Sequence, residues 1–369
     1  MMDKLIFNHF TCLLYRNMMN EETTYTKQIG VAIMRNKIMI GAFLCLIACM
    51  SWGAMFPVAH IALKHIDPFY FSYIRYFTVG IILAVILFIK EGKQAFRLEG
   101  KGMALTFYGA MAFVVYNMFI FLGQQQMGTP GTIIASIMEV LMPMITIVFI
   151  WITTRKKPGS TTIRNILIAF IGAVLVITRG DFSFFVMNST KLLPLLFMFI
   201  GVTGWVIYSL GGSRFKGWST LRYSTLTCLL GNGIAFIVVA SGTAAGWLTV
   251  PSFETLSTIK YEMAFMSLLP GLVALLSWNK GLQMLSSTHG ILFINFVPIT
   301  TFVIIALQGY SINAFEVIGT LLIIISIAHN TLSQGNVHAN KWIPRPVRAY
   351  ARFSRFQLFK ALRMLISKM

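Results

Sequence analysis

From about residue 38 onward the chain alternates long apolar runs with short polar or basic ones. Uninterrupted apolar stretches fall at 38–60, 69–89, 103–122, 131–152, 163–178, 192–211, 224–244, 262–282, 289–308 and 314–333. A helix needs about 20 apolar residues to cross a bilayer core, so the pattern predicts ten membrane-spanning helices. The first 33 residues read differently. They carry Asp3, Lys4, Arg16, Glu21, Glu22 and Lys27, and their apolar patch Leu5–Tyr15 is too short to span. No small-residue cleavage site follows it, which argues against a secretory signal. Met34 just before the first run is a candidate alternative start, which would make residues 1–33 a dispensable extension.

Composition agrees with lipid as part of the solvent. Hydrophobic residues make up 57% and charged residues 11% of 369, against roughly 45–50% and a quarter in an ordinary soluble domain. The apolar excess excludes disorder, and so few charges would not cover a soluble enzyme. Cys12, Cys45, Cys49 and Cys228 show no C-x-x-C or Cys/His spacing, so they read as packing residues rather than disulfide or metal chemistry. No cofactor is indicated.

The net charge is +19, from 30 Lys and Arg against 11 Asp and Glu. Placement decides what this means. Twenty-five of the basic residues lie in the two tails and the even-numbered loops, and four (Lys64, Arg179, Lys191 and Lys260) in the odd ones. By the positive-inside rule both termini are expected in the cytoplasm of a cell that holds the chain in its inner membrane. The basic charge is thereby accounted for without nucleic acid. In the tail Pro344–Met369, six cations from Arg345 to Arg363 recur every three to five residues, with Val347, Ala351, Leu358, Leu362 and Leu365 on another face. That pattern suits a basic amphipathic helix on the anionic lipids of the inner leaflet; a flexible charged tail is the alternative.

The two halves share a pattern. Ile74-Arg75-Tyr76 opens the second run and Leu221-Arg222-Tyr223 the seventh. Gly131 leads to Pro143 in the fourth, as Gly290 leads to Pro298 in the ninth. Gly123-Gln124-Gln125 matches Gly281-Leu282-Gln283, and Ile171-Gly172 matches Ile318-Gly319. Five spans per half put the second copy upside down, and inverted repeats with proline-interrupted helices are a transporter pattern with a midplane site between the halves.

Trp52-Gly53-Ala54-Met55-Phe56-Pro57, Ile66-Asp67-Pro68-Phe69 and Ile74-Arg75-Tyr76-Phe77 together resemble the opening of EamA-type members of the drug/metabolite transporter superfamily. Trp205, Gly281-Leu282-Gln283 and Pro298 resemble the second copy. The resemblance covers about 36–333. It implies an all-α integral membrane fold of ten transmembrane helices as two inverted five-helix repeats, divided as a 1–35 extension, repeats at 36–183 and 184–335, and a basic tail at 336–369. It also implies transport of a small metabolite.

Ionisable groups inside spans are costly and point to function. Glu139 is the lone mid-span acid. Arg75 lies in the second run, its expected depth within a few ångströms of Glu139, so the two are candidates to pair. His60, near the outer end of the first run, is more simply an interfacial histidine than a proton relay. Asn117, Asn232, Asn279 and Asn295 are amides for substrate or cross-helix bonding, Asn295 the best placed because Pro298 frees a carbonyl nearby. Trp52, Trp205 and Trp278, with Tyr116 and Tyr208, would suit an aromatic lining for an apolar or cationic substrate, or serve as packing and interfacial belts. The substrate-binding and coupling set is therefore Glu139, Arg75, Trp52, Asn117, Asn295, Trp205, Tyr208 and Trp278.

Three function classes follow. A secondary transporter of a small molecule, monomeric or homodimeric, fits best, since no Walker-type phosphate loop is present. A membrane enzyme or lipid-handling protein would need clustered His, Asp, Cys or Glu at one surface, and the loops are short. A channel would show a filter segment or charge ring.

Overall fold

The computed structural model describes residues 36–155, 157, 159–181, 192–285 and 290–339. The whole 1–35 extension and the basic tail beyond residue 339 lie outside the described residues. Among the described residues every regular element is helical. The elements are α1 (Asn36–Ala62), α2 (Pro68–Glu91), α3 (Gly102–Ala110), α4 (Asn117–Val140), α5 (Met142–Thr154), α6 (Ser160–Thr178), α7 (Leu192–Gly211), α8 (Thr220–Ala244), α9 (Phe253–Thr258), α10 (Lys260–Met266), α11 (Ala274–Leu285), α12 (Phe296–Leu307) and α13 (Ala314–Ala339). Among the described residues seven stretches are long and apolar enough to cross a membrane, and two shorter apolar helices, Phe293–Leu307 and Ala314–Ser326, accompany them.

Local chemistry sets the ends. Asp67 caps α2 by accepting from Phe69 N at 2.7 Å, with Pro68 in the first turn where no N–H is needed. Ser219 caps α8 by accepting from Arg222 N at 2.9 Å. The longest of the seven stretches, Gly102–Thr153, has 52 residues; straight, it would run about 78 Å. It turns instead at Gly128, whose φ of 62° and ψ of −140° lie outside the helical region. That conformation is open to glycine, so the turn between the third and fourth apolar runs sits between Gln125 and Pro130.

Two stretches expected as continuous helices are not. Residues Met111–Tyr116, between α3 and α4, and Ser267–Val273, between α10 and α11, are π-helical. They fall in the third run of each half. Pro270 accounts for the second, since it removes a donor from the ladder; the first contains no proline. The fourth run also breaks, at Leu141, because Pro143 cannot donate to Glu139 O.

The paired Arg-Tyr signatures do not occupy equivalent depths. Arg75 lies two turns into α2, whereas Arg222 is in the first turn of α8. The Ile171-Gly172 and Ile318-Gly319 signatures do meet. A Cβ on Gly172 would sit 2.6 Å from Gly319 O, and one on Gly319 would strike Gly172 O, so α6 and α13 touch backbone to backbone.

The buried side chains form two clusters. The larger draws on α1 to α5, α7, α8 and α10 to α12. The smaller joins Ala169, Ala173 and Val176 of α6 to Ile305 of α12 and Ile323 of α13. The second half of α4 lies between them: Ile133, Ile137 and Val140 face the smaller cluster, Ile134, Ala135 and Met138 the larger. All ten residues from Gly131 to Val140 are buried. This seam carries Glu139.

At one end of the bundle, Glu99 ties the α2–α3 loop to the start of α8. It accepts from Arg222 Nη2 at 2.7 Å and from Trp218 Nε1 at 3.0 Å, and the Arg222 guanidinium lies 3.8 Å from the Trp218 ring centroid. These bonds, Arg222 first and Trp218 second, hold the Glu99 carboxyl below its ordinary pKa. A depressed carboxylate pKa contributes stability above its unfolded value and loses it as pH falls through the folded one. Glu99→Gln is therefore expected to lower thermal stability at pH 7, with the gap from wild type closing as pH is brought down below about 4. Parallel melts of the two proteins across pH 3–7 check it; an unchanged gap would mean that the tie contributes no charge-dependent stability.

Candidate functional site

Seven of the eight residues expected to form the site converge where α1, α2, α4, α7 and α11 meet, on the larger-cluster side of the seam. At its centre Trp52 of α1 lies edge-on to Trp205 of α7 and Trp278 of α11, with centroids 5.2 Å apart in both pairs. Trp205 in turn lies 5.0 Å from Tyr116 and 5.2 Å from Tyr208. The three indoles come from both halves, which is why the cluster marks the interface between them. Edge-to-face packing is the favoured geometry for such rings.

The π segments and the helix turn just before the second supply the carbonyls that hold the polar side chains. Pro270 leaves Met266 O without its usual donor four residues on, and Arg75 Nε fills that place at 2.9 Å. Trp52 Nε1 donates to Pro270 O at 3.2 Å. In the first π segment Ala112 O accepts from Asn117 Nδ2 at 2.7 Å. Asn117 Oδ1 then accepts from Arg75 Nη1 at 3.4 Å, with Met55 Sδ 3.5 Å from the same nitrogen.

Glu139 is 1% exposed. Its one hydrogen-bond partner among the described residues is Tyr116, whose hydroxyl donates to Oε1. Pro143 ends the helix just beyond it. If the two prolines are set in register, Pro298 places Ile294 where Pro143 places Glu139, and Ile294 is fully buried. The carboxylate thus has no counterpart in the second half. A buried carboxylate with a single neutral donor is far from compensated.

Arg75 is 0% exposed. The expected ion pair with Glu139 does not form: among the described residues the ion pairs are Arg179–Glu316 and Arg222–Glu99. Arg75 is directed to Met266 O and Asn117, Glu139 to Tyr116. Tyr116 and Asn117 are adjacent at the start of α4, so the two charged groups are held at one level by neighbouring residues without touching.

Two residues of the expected set stand apart in some respect. Trp205 Nε1 is buried with no hydrogen-bond partner among the described residues. Asn295, just before α12, is 7% exposed, its Oδ1 likewise unpartnered, and no ring or hydrogen bond among the described residues joins it to the cluster. Asn279 supports the site rather than lining it, donating to Tyr208 OH and Ser224 Oγ, both at 2.9 Å. His60 Nε2 lies 3.5 Å from Thr129 Oγ1 beside the Gly128 turn, remote from the indoles. Sequence reasoning missed Gln124, which donates to Phe56 O at 2.8 Å, and it missed the role of Pro270. The proline was legible, but the arginine that takes its freed carbonyl lies 191 residues away in the chain.

Comparison with known proteins follows the same division into halves. The model of the EamA-like transporter family matches residues 39–178 and again 192–332. The chain is 53% identical over 300 residues to the uncharacterized transporter YrdR of Bacillus subtilis, covering 81% of this chain and 94% of that one. It is 26% identical to the uncharacterized transporter YyaM of the same organism, covering 74% and 88%. An uncharacterized transporter of Archaeoglobus fulgidus is 22% identical, covering 77% and 95%. A solved crystal structure superposes with a TM-score of 0.60 at 16% identity, over 80% of this chain and 98% of that one, which shows a shared fold.

Proposed function

The chain belongs to the EamA-like transporter family, and from that premise we propose that it is a secondary active transporter of a small metabolite or drug-like molecule, with Glu139 as the coupling group. The observation that carries this reading is the position of Glu139: one carboxylate, buried on the seam between two clusters, beside an aromatic centre built from both halves. Rocking of the two packed bodies about such a seam would open it to one face and then the other. The carboxyl takes up a proton, or the cationic group of a substrate, on one face and gives it up on the other. The test is uphill uptake into proteoliposomes under an imposed pH gradient, comparing wild type with Glu139→Gln.

Ten crossings follow if the 52-residue stretch counts twice, because it reverses at Gly128, and the two shorter apolar helices join the seven long ones. With the basic loops inside, both termini are cytoplasmic in the cell membrane. In a Cys12→Ser background, cysteines at Thr129 and Trp247 should label with an impermeant maleimide on intact cells, and cysteines at Gln94 and Ser213 only after lysis. All four positions are exposed, and Cys45, Cys49 and Cys228 are buried and silent. Labelling of Gln94 on intact cells would reverse the orientation.

A further inference from the structure

The Arg75 guanidinium is fully buried, yet no carboxylate among the described residues neutralises it. Its five N–H groups can be followed individually. Nε is taken by Met266 O, and Nη1 by Asn117 Oδ1 and Met55 Sδ. The faces of Tyr76 and Phe121 lie 4.7 and 5.8 Å from Cζ. Nη2, buried and with two N–H groups, has no partner among the described residues. The nitrogen is itself covered, so the charge and its vacant donors await one group that arrives when the rocking motion parts the helices.

We propose that Nη2 of Arg75 is the anchor for the carboxylate of the transported molecule, which makes the substrate a small organic carboxylate with an apolar body. The inference rests on the transporter reading above and adds the substrate class. Charge selects the anion. Nε and Nη1 are both committed, so the two-nitrogen forks that grip carboxylate and phosphate alike are closed, and one guanidinium would leave a dianion half uncompensated. A monoanionic carboxylate matches the charge, with an oxygen accepting from Nη2. Met55, against Nη1, is one helical turn along α1 from Trp52, so the anchored group lies beside the indole cluster, where an apolar body can pack.

The test is thermal unfolding of purified protein in detergent with matched probes: benzoate against benzamide, indole-3-acetate against indole-3-acetamide, and phenyl phosphate. At least one carboxylate should raise Tm by about 5 °C at a hundredfold excess over its Kd, while its amide and phenyl phosphate do not. Arg75→Gln should lose that response. Without ligand it should melt at or above wild type, because it removes an unpaired buried charge and keeps an amide donor for Met266 O. Equal shifts from acid and amide, a larger shift from phenyl phosphate, no shift from any carboxylate, or a retained response in Arg75→Gln would each overturn the proposal. So would an Arg75→Gln protein that melts well below wild type without ligand, since the arginine would then be structural. Thermal shift reads binding alone and the pH-gradient assay reads coupling alone, so a failure of proton coupling leaves this result standing, and a failure here leaves the pH-gradient test untouched.

Discussion

Gly109→Leu is expected to leave almost no folded protein, whereas Gly233→Leu should fold like wild type. Gly109 of α3 faces Thr227 and Gly231 of α8. A Cβ at Gly109 would lie 2.9 Å from Gly231 N and closer still to Thr227 O, and one at Gly231 would strike Gly109 O. All of these obstacles are backbone, which has no alternative rotamer, so relief requires the two helices to separate. Close backbone approach is itself the source of helix affinity in lipid, where no hydrophobic drive holds helices together. Overpacking of a well-packed core usually costs about 1–3 kcal/mol, and a contact that cannot relax lies at or beyond about 3 kcal/mol. Gly233, two residues along on α8, has nothing within 4 Å of the same added atom. Fluorescence-detected size exclusion of GFP fusions reads both outcomes. A monodisperse Gly109→Leu peak at wild-type height would show that α3 and α8 are not held as described.

Glu139→Gln should abolish uphill accumulation while leaving substrate exchange intact. The substitution keeps the shape, and the amide oxygen still accepts the Tyr116 hydroxyl that Oε1 accepts now. It also removes the only proton-binding side chain of the α4 segment on the seam. One proton moved per substrate across a gradient of one pH unit supports about a tenfold concentration ratio, since tenfold is worth about 1.4 kcal/mol. Without the proton the ratio should fall to one. Exchange of labelled for unlabelled substrate needs only the rocking motion, so it should continue near the wild-type rate. Retained tenfold accumulation with wild-type pH dependence would make Glu139 structural. Loss of exchange together with accumulation would mean that the carboxylate binds the substrate's cationic group.

Much of the architecture is legible in the sequence, because in lipid each helix must satisfy its own backbone. Spanning is therefore a property of a local window of residues, and the apolar runs near residues 69–89 and 192–211 form α2 and α7 with ends moved by a few residues. The same locality makes Asp67-Pro68 readable as a helix start. It also sets the rank of Glu139, since an isolated acid in an apolar run stands out wherever the helix is placed.

What the tertiary structure decided was rotation and pairing. Position along a run sets depth, and on depth alone Arg75 and Glu139 are candidates for an ion pair. Each residue step also turns the side chain by about 100° around the helix axis, and which way a face looks depends on its neighbours. Those neighbours turn Glu139 to Tyr116 and Arg75 to the carbonyl freed by Pro270. The π segments belong to the same class, since nothing in Met111–Tyr116 distinguishes it locally from an α-helix. Sequence by itself determined that the chain lives in a membrane and that one acid lies deep within it. Only the packing of the helices left that acid and the buried arginine apart, because a charge pair requires two faces to meet and a single helix determines only its own.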